Sequence, residues 1–408
     1  MPASTANALV FVTYLTTPQQ EAKNPATQKL VRSRALRARH EATRLSSDRA
    51  KEPEEHRYHF RPRSVTLGAE AGWFSFFASD AAIAQASLAF ISLNRDLASG
   101  RSASKTTLLC KAKAIQMTHQ MLAKRAVDTL EVLVGAVSLL LTMESLEVDF
   151  DNAVAHMLGL TELVKLCGGV DTLYKKDPQL ARILGWADLS FSCTWSQAPH
   201  LPWVYTTTHS VRESHDLADS EWTAFRNELS CLIGLDSLQV IDLLHALPVE
   251  PVKDSSSDDE RHRNSQSVYV LERSLLERLH AQQDEDMPPY FLLFSYASLI
   301  FISLALRDLP VHAERLQIVA SLLKQEMGKV LHADQLGSIP HPALVLLLWA
   351  SMIHLATSLR GNMDHFVIAS LRAISSELNI DSVEELKDSL RLITWPEGFL
   401  ESVLARLL

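Results

Sequence analysis

Cysteine is scarce in this chain. Its 408 residues hold four, Cys110, Cys167, Cys193 and Cys231, and no two of them form a C-x2-C pair. A structural zinc site needs clustered thiolates or imidazoles, so this spacing argues against one. It argues equally against a disulfide framework and fits a reducing compartment. Glycine and proline are sparse too, at thirteen and sixteen residues. That weighs against a disordered chain and against a turn-rich β fold. The first residues, Met1 to Asn7, carry no cation ahead of Leu9-Val10-Phe11-Val12, so no secretory signal is expected.

Catalytic signatures are missing as well. No H-E-x-x-H sets two histidines on one helical face, and no G-x-S-x-G builds a nucleophile elbow. Neither G-x-x-x-x-G-K-[ST] nor G-x-G-x-x-G supplies a phosphate-binding turn. His56 and His59 stand three apart in a charged stretch without a cysteine partner, so no metal is expected there. Asp149 with Asp151 reads as a helix start, and Asp258-Asp259-Glu260 as part of a polar loop. Neither looks like an acid–base pair, which needs a cleft to separate the two proton affinities. Cys167 reads as a small buried hydrophobe. No catalytic residue, cofactor or metal is assigned, and an enzyme is the least favoured reading.

What the chain does have is apolar residues, 47% of the total, with 21% charged and a formal net charge of -9. A sizeable core is within reach, and the acidic balance argues against a body that binds nucleic acid indiscriminately. Tyr290 to Leu306 carries no charge. It sits at the short limit of a bilayer span, about 17–25 residues. Its three serines and two tyrosines, and the amphipathic stretches after it, favour a helix buried by other helices. No membrane association is expected.

Two regions differ sharply in composition. Residues 1–64 combine a short apolar start, Leu9 to Leu15, with a basic arm. Twelve cations lie between Lys23 and Arg63, Arg32, Arg34, Arg37 and Arg39 among them, against five acids. With few apolar residues the arm reads as a solvated, flexible tail. The alternatives are nuclear import or contact with nucleic-acid phosphates through those four arginines. Residues 65–408 read as an all-α body, interrupted by a polar loop at 253–267 (KDSSSDDERHRNSQS). Two lobes sharing one core is the expected arrangement.

Helices are expected at about 105–122, 126–147, 178–191, 219–246, 268–281, 289–309, 313–334, 342–361, 363–379, 383–393 and 395–407. Another follows Asp151 or Asn152 as N-cap, with Val154, Leu158, Thr161, Leu163 and Leu166 facing the core. Gly168 or Gly169 then ends it in the left-handed conformation. Ser382-Val383-Glu384-Glu385 and Thr394-Trp395-Pro396-Glu397 have capping-box spacing. The tryptophans read first as core. A ligand pocket edged by Trp195 and Trp203 is the alternative, because the stretch between them is shaped by Pro199 and Pro202.

Several segments carry a resemblance. Phe11-Val12-Thr13-Tyr14 with Val31 to Arg37, Ala155 to Leu160, Leu166-Cys167-Gly168-Gly169, Leu184 to Leu189, Leu347 to Ala350 and Thr394-Trp395-Pro396 together resemble the fungal-specific transcription-factor domain. This is the middle homology region that accompanies fungal zinc-cluster activators. The resemblance spans about residues 9–400 and is weakest through 205–340. It implies an all-α, multi-helix regulatory domain, located in the nucleus and without catalysis. These 408 residues contain no six-cysteine cluster, so the subgroup without its own zinc-cluster domain is implied. Such a body would act by binding a protein partner or a small-molecule effector, with self-association as an option. A helical adaptor with no direct role in transcription is the alternative.

Overall fold

A helix that is apolar on every side has to be covered on every side. Among the described residues, Leu130–Glu147 and His341–Ala356 are two helices that are buried along nearly their whole length. Each lies in one of two compact units of the computed structural model. The structure describes residues 76–77, 79–124, 127–202, 220–234, 238–246, 258–281, 288–307, 309–333, 336–358, 364–395 and 399. Among these there are fourteen α-helices and no strand. The apolar start, the basic arm with Arg32, Arg34, Arg37 and Arg39, and Trp203 lie outside the described residues, as does nearly all of the helix expected at 395–407.

The first unit comprises 76–202 and His312–Arg315. It contains α1 (Ala81–Ala98), α2 (Lys105–Lys124), α3 (Leu130–Glu147), α4 (Phe150–Leu166), α5 (Val170–Lys176) and α6 (Pro178–Trp195). α3 packs against α1, α2, α4 and α6, and every residue from Leu133 to Leu146 is buried. Packing is tight at Gly135. A Cβ there would lie 3.0 Å from Phe76 Cζ and 3.3 Å from Ile83 Cδ1, so those two side chains would have to give by a few tenths of an ångström. Aspartates open three of these helices by accepting orphan amides: Asp80 from Ala82, Asp149 from Asn152 and Asp177 from Gln179 and Leu180.

The double glycine behaves as expected. Gly168 and Gly169 have φ of 88° and 92°, and the Gly169 amide donates to the Val164 carbonyl at 2.9 Å. The start of α4 differs from expectation, because the cap is Asp149 and not Asp151 or Asn152. Its buried face differs too. Ala153, Met157, Leu160, Leu163 and Val164 face inward, whereas Leu158 is 63% exposed. Two apolar stripes interleave on this helix, and periodicity alone cannot rank them. The inner stripe includes Ala153, and Gly159 is buried too; residues this small allow close packing.

The second unit comprises 220–311 and 316–399. Its helices are α7 (Ser220–Ile233), α8 (Leu238–Ala246), α9 (Asp258–Ala281), α10 (Pro289–Phe301), α11 (Glu314–Ala333), α12 (His341–Ala356), α13 (His365–Glu377) and α14 (Val383–Arg391). The first two residues of α11 group with the first unit. α12 packs against α7, α10, α13 and α14. α10 continues into a π-helical turn, Ile302–Leu306. This is the uncharged run tested above for a bilayer span, and it is core: Phe291, Leu293, Phe294, Ile300 and Ile302 are at most 2% exposed. Among the described residues no single helix is long and apolar enough to cross a membrane.

Two expectations in this unit are corrected. The helix expected over 219–246 stops after Ile233, where Gly234 takes φ 102°. Glycine meets no Cβ penalty in that conformation, so the helix can end there. The polar loop expected at 253–267 is helical from Asp258 onward, and α9 starts ten residues earlier than expected. Once Val268, Leu271 and Leu275 anchor a helix in the core, each further turn costs little, since nucleation has already occurred. The capping box at α14 is as expected. Glu385 N–H donates to Ser382 Oγ, and the Glu385 carboxylate accepts from the Ser382 amide.

Candidate functional site

The informative side chains are the polar ones inside these cores. Glu144 interrupts the apolar run of α3 and its side chain is 1% exposed. A buried carboxylate is costly unless paired. Here Lys111, from α2, donates to Glu144 Oε2 at 2.7 Å and to Glu147 at 3.1 Å. His156, from α4, brings Nε2 to 3.7 Å from the other Glu144 oxygen. Burial alone would lower the pKa of the Lys111 ammonium. The charges of Glu144 and Glu147 outweigh that and hold it above the ordinary lysine value. One cluster thus joins α2, α3 and α4.

Two aspartates tie turns down in the same unit. Asp96, near the end of α1, accepts from the Thr107 hydroxyl at 2.6 Å and the Ser104 amide at 2.8 Å. These bonds, Thr107 foremost, lower its pKa to about 2. They close the turn between α1 and α2, where Arg95, Asp96, Gly100, Arg101, Ser102, Ser104 and Thr106 line an open hollow of about 640 Å³. Asp188 on α6 is buried and accepts the amides of His200 and Leu201 at 2.8 and 3.1 Å, which fastens the proline-containing stretch after α6. Trp195, at the end of α6, is 2% exposed, its ring 5.6 Å from Phe150 and 4.7 Å from Phe191.

In the second unit Trp349 on α12 is fully buried. Its Nε1–H donates to the Thr394 carbonyl at 2.9 Å. The two late aromatic segments seen in the sequence, Leu347–Ala350 and Thr394–Trp395, are therefore joined by a hydrogen bond. His245 on α8 stacks on Trp222 of α7, with ring centres 3.9 Å apart, and its Nδ1 lies 3.1 Å from the Ile393 carbonyl. Arg307, after the π turn, pairs with Glu272 of α9 inside the core. His354 is buried on α12, and burial lowers its pKa to about 4, with Asp364 opposing and Lys324 assisting.

These arrangements hold helices and turns in place. Among the described residues no grouping of three or more His, Cys, Asp or Glu side chains could hold a metal ion. Periodicity gave no warning of the clusters, because Lys111 and Glu144 lie far apart in sequence. The one available signal was Glu144 itself, a lone acid in an apolar stretch.

Against this geometry, comparison with known families matches residues 73–386 to the fungal specific transcription factor domain. The chain belongs to that family. The match covers well over half of the sequence. It takes in α1–α13, the double glycine, Asp188 and Trp349, and begins after the basic arm. No curated protein and no solved structure matches the chain. A fungal specific transcription factor domain is typically a non-enzymatic regulatory domain, consistent with buried charges that serve as structural ties.

Proposed function

We propose that this chain is a transcription regulator that works in the nucleus, and that DNA reading by a zinc cluster plays no part in what these 408 residues do. The helical body binds a protein partner or a small-molecule effector. The basic arm, through Arg32, Arg34, Arg37 and Arg39, serves nuclear import or adds non-specific contact with phosphates. Such contacts give affinity and position but little base selection. The observation that carries this reading is the family match across 73–386, whose described residues are helical and hold no strand.

Genome-wide occupancy of the tagged protein in its native cell, with and without residues 23–63, tests it. Occupancy at gene promoters that weakens when the arm is deleted supports the proposal. Residence confined to the cytosol, with transcript levels unchanged on depletion, overturns it in favour of an adaptor.

A further inference from the structure

Charge is unevenly spread in this acidic chain. Between Asp96 and Asp128 there is no acid, and there are six cations: Arg101, Lys105, Lys111, Lys113, Lys124 and Arg125. Lys111 turns inward to Glu144 and Glu147. Lys105, Lys113 and Lys124 are exposed on α2 and make no ion pair among the described residues. α2 buries only Thr107, Ala114 and Thr118, a single stripe of small side chains. Its opposite stripe runs Lys105, Leu109, Lys113 at four-residue steps, which places the three one above another on one face.

The same hairpin is unusually apolar at its surface. Leu88, Ile91, Leu108 and Leu109 are 49–61% exposed. Only two other large apolar side chains among the described residues, Leu158 and Val383, are comparably exposed. On α1, Leu88, Ile91 and Arg95 follow steps of three and four and again share a face. Both helices thus offer cations interleaved with bare aliphatic groups. A phosphate backbone would satisfy the cations and leave the leucines in water. A segment with carboxylates beside its own aliphatic side chains would satisfy both.

We infer that the outer surface of the α1–α2 hairpin is a docking site for an acidic amphipathic helix of another protein. This deepens the partner-binding reading above and rests on it. Carboxylates of the partner meet Lys105, Lys113 and Arg95, while its apolar residues cover Leu109, Ile91 and Leu88. Attraction between unlike charges speeds encounter and weakens with salt. The apolar contacts persist at high salt.

The probe is a fluorescein-labelled twenty-residue helical peptide with leucines on one face and glutamates flanking them. Binding to the purified full-length chain is read by anisotropy. The native chain is expected to bind it, and peptides with Gln for Glu, or Ser for Leu, about tenfold more weakly. The Lys105→Glu/Lys113→Glu chain should lose about tenfold in affinity while its circular dichroism and melting profile stay native. Leu109→Gln, which leaves every charge in place, should also weaken binding, and it serves as the test if the charge reversal fails to fold. Unchanged affinity in the variants would assign the peptide to the basic arm and overturn the proposal. Failure of the native chain to bind, or a preference for a twenty-base-pair duplex that the charge reversal abolishes, overturns it too. Promoter occupancy is measured separately. Occupancy that persists while the peptide fails removes this surface but not the regulatory role.

Discussion

The two buried central helices solve the same problem differently. α3 carries a carboxylate into its core and brings the Lys111 ammonium from another helix to meet it. α12 carries a histidine into its core and keeps it neutral, since burial drives its pKa to about 4. A carboxylate near neutral pH is too strongly acidic to shed its charge cheaply, so it must be paired. An imidazole sits close enough to neutrality that desolvation alone can discharge it. Polar groups in the first unit therefore connect helices through charge. In α12 the connection to the chain's end runs instead through a neutral donor, Trp349 Nε1–H to the Thr394 carbonyl.

The largest test of this contrast is Lys111→Met. It leaves Glu144 buried without its ammonium, and the cost should be about 3–5 kcal/mol by urea unfolding. Adding Glu144→Met should recover most of that loss, because a paired charge and a well-packed apolar pair are close in free energy. A Lys111→Met cost below about 1 kcal/mol would mean that the α3 cluster is no tighter than a surface pair.

The α12 side of the contrast appears as pH dependence. His354 keeps its folded pKa below the ordinary histidine value. As pH falls below about 6.5, the unfolded chain takes a proton that the folded chain refuses, so stability drops until about pH 4. The ceiling on that loss is about 3 kcal/mol. Unfolding free energies at pH 7 and pH 4.5 should therefore differ more for the native chain than for His354→Gln. Equal slopes would show that folding leaves the proton affinity of the imidazole unchanged.

The smallest effect lies outside both cores. Ser382→Ala removes the capping-box acceptor of α14 and should cost about 1 kcal/mol. A much larger loss in the thermal transition would mean that α14 supports α12 more strongly than its single buried residue, Leu390, suggests.

Local chemistry was legible where the signal was strong and short. The Gly168–Gly169 stop, the Ser382–Glu385 box and the uncharged, buried run of α10 could all be read directly. Boundaries set by cooperativity were not: the start of α9 at Asp258 depends on apolar anchors further along the helix, and Asp149 competes with Asp151 and Asn152 as a cap of similar strength. Leu158 was assigned to the core because its stripe and that of Met157 have nearly the same period. Of the residues suggested for a pocket, Trp195 packs among aromatic rings, while Trp203 falls outside the described residues along with the four arginines of the arm.

Composition and spacing settled that this chain would be helical, that the uncharged run of α10 would be buried, and that the Gly168–Gly169 stop and the Ser382 cap would stand where they do, because these follow from forces acting within a few residues. The pairing of Lys111 with Glu144, the discharge of His354, the bond from Trp349 to Thr394 and the outward turn of Leu109 belong to tertiary structure. Each depends on which distant helix arrives beside it, and on how much water that helix displaces.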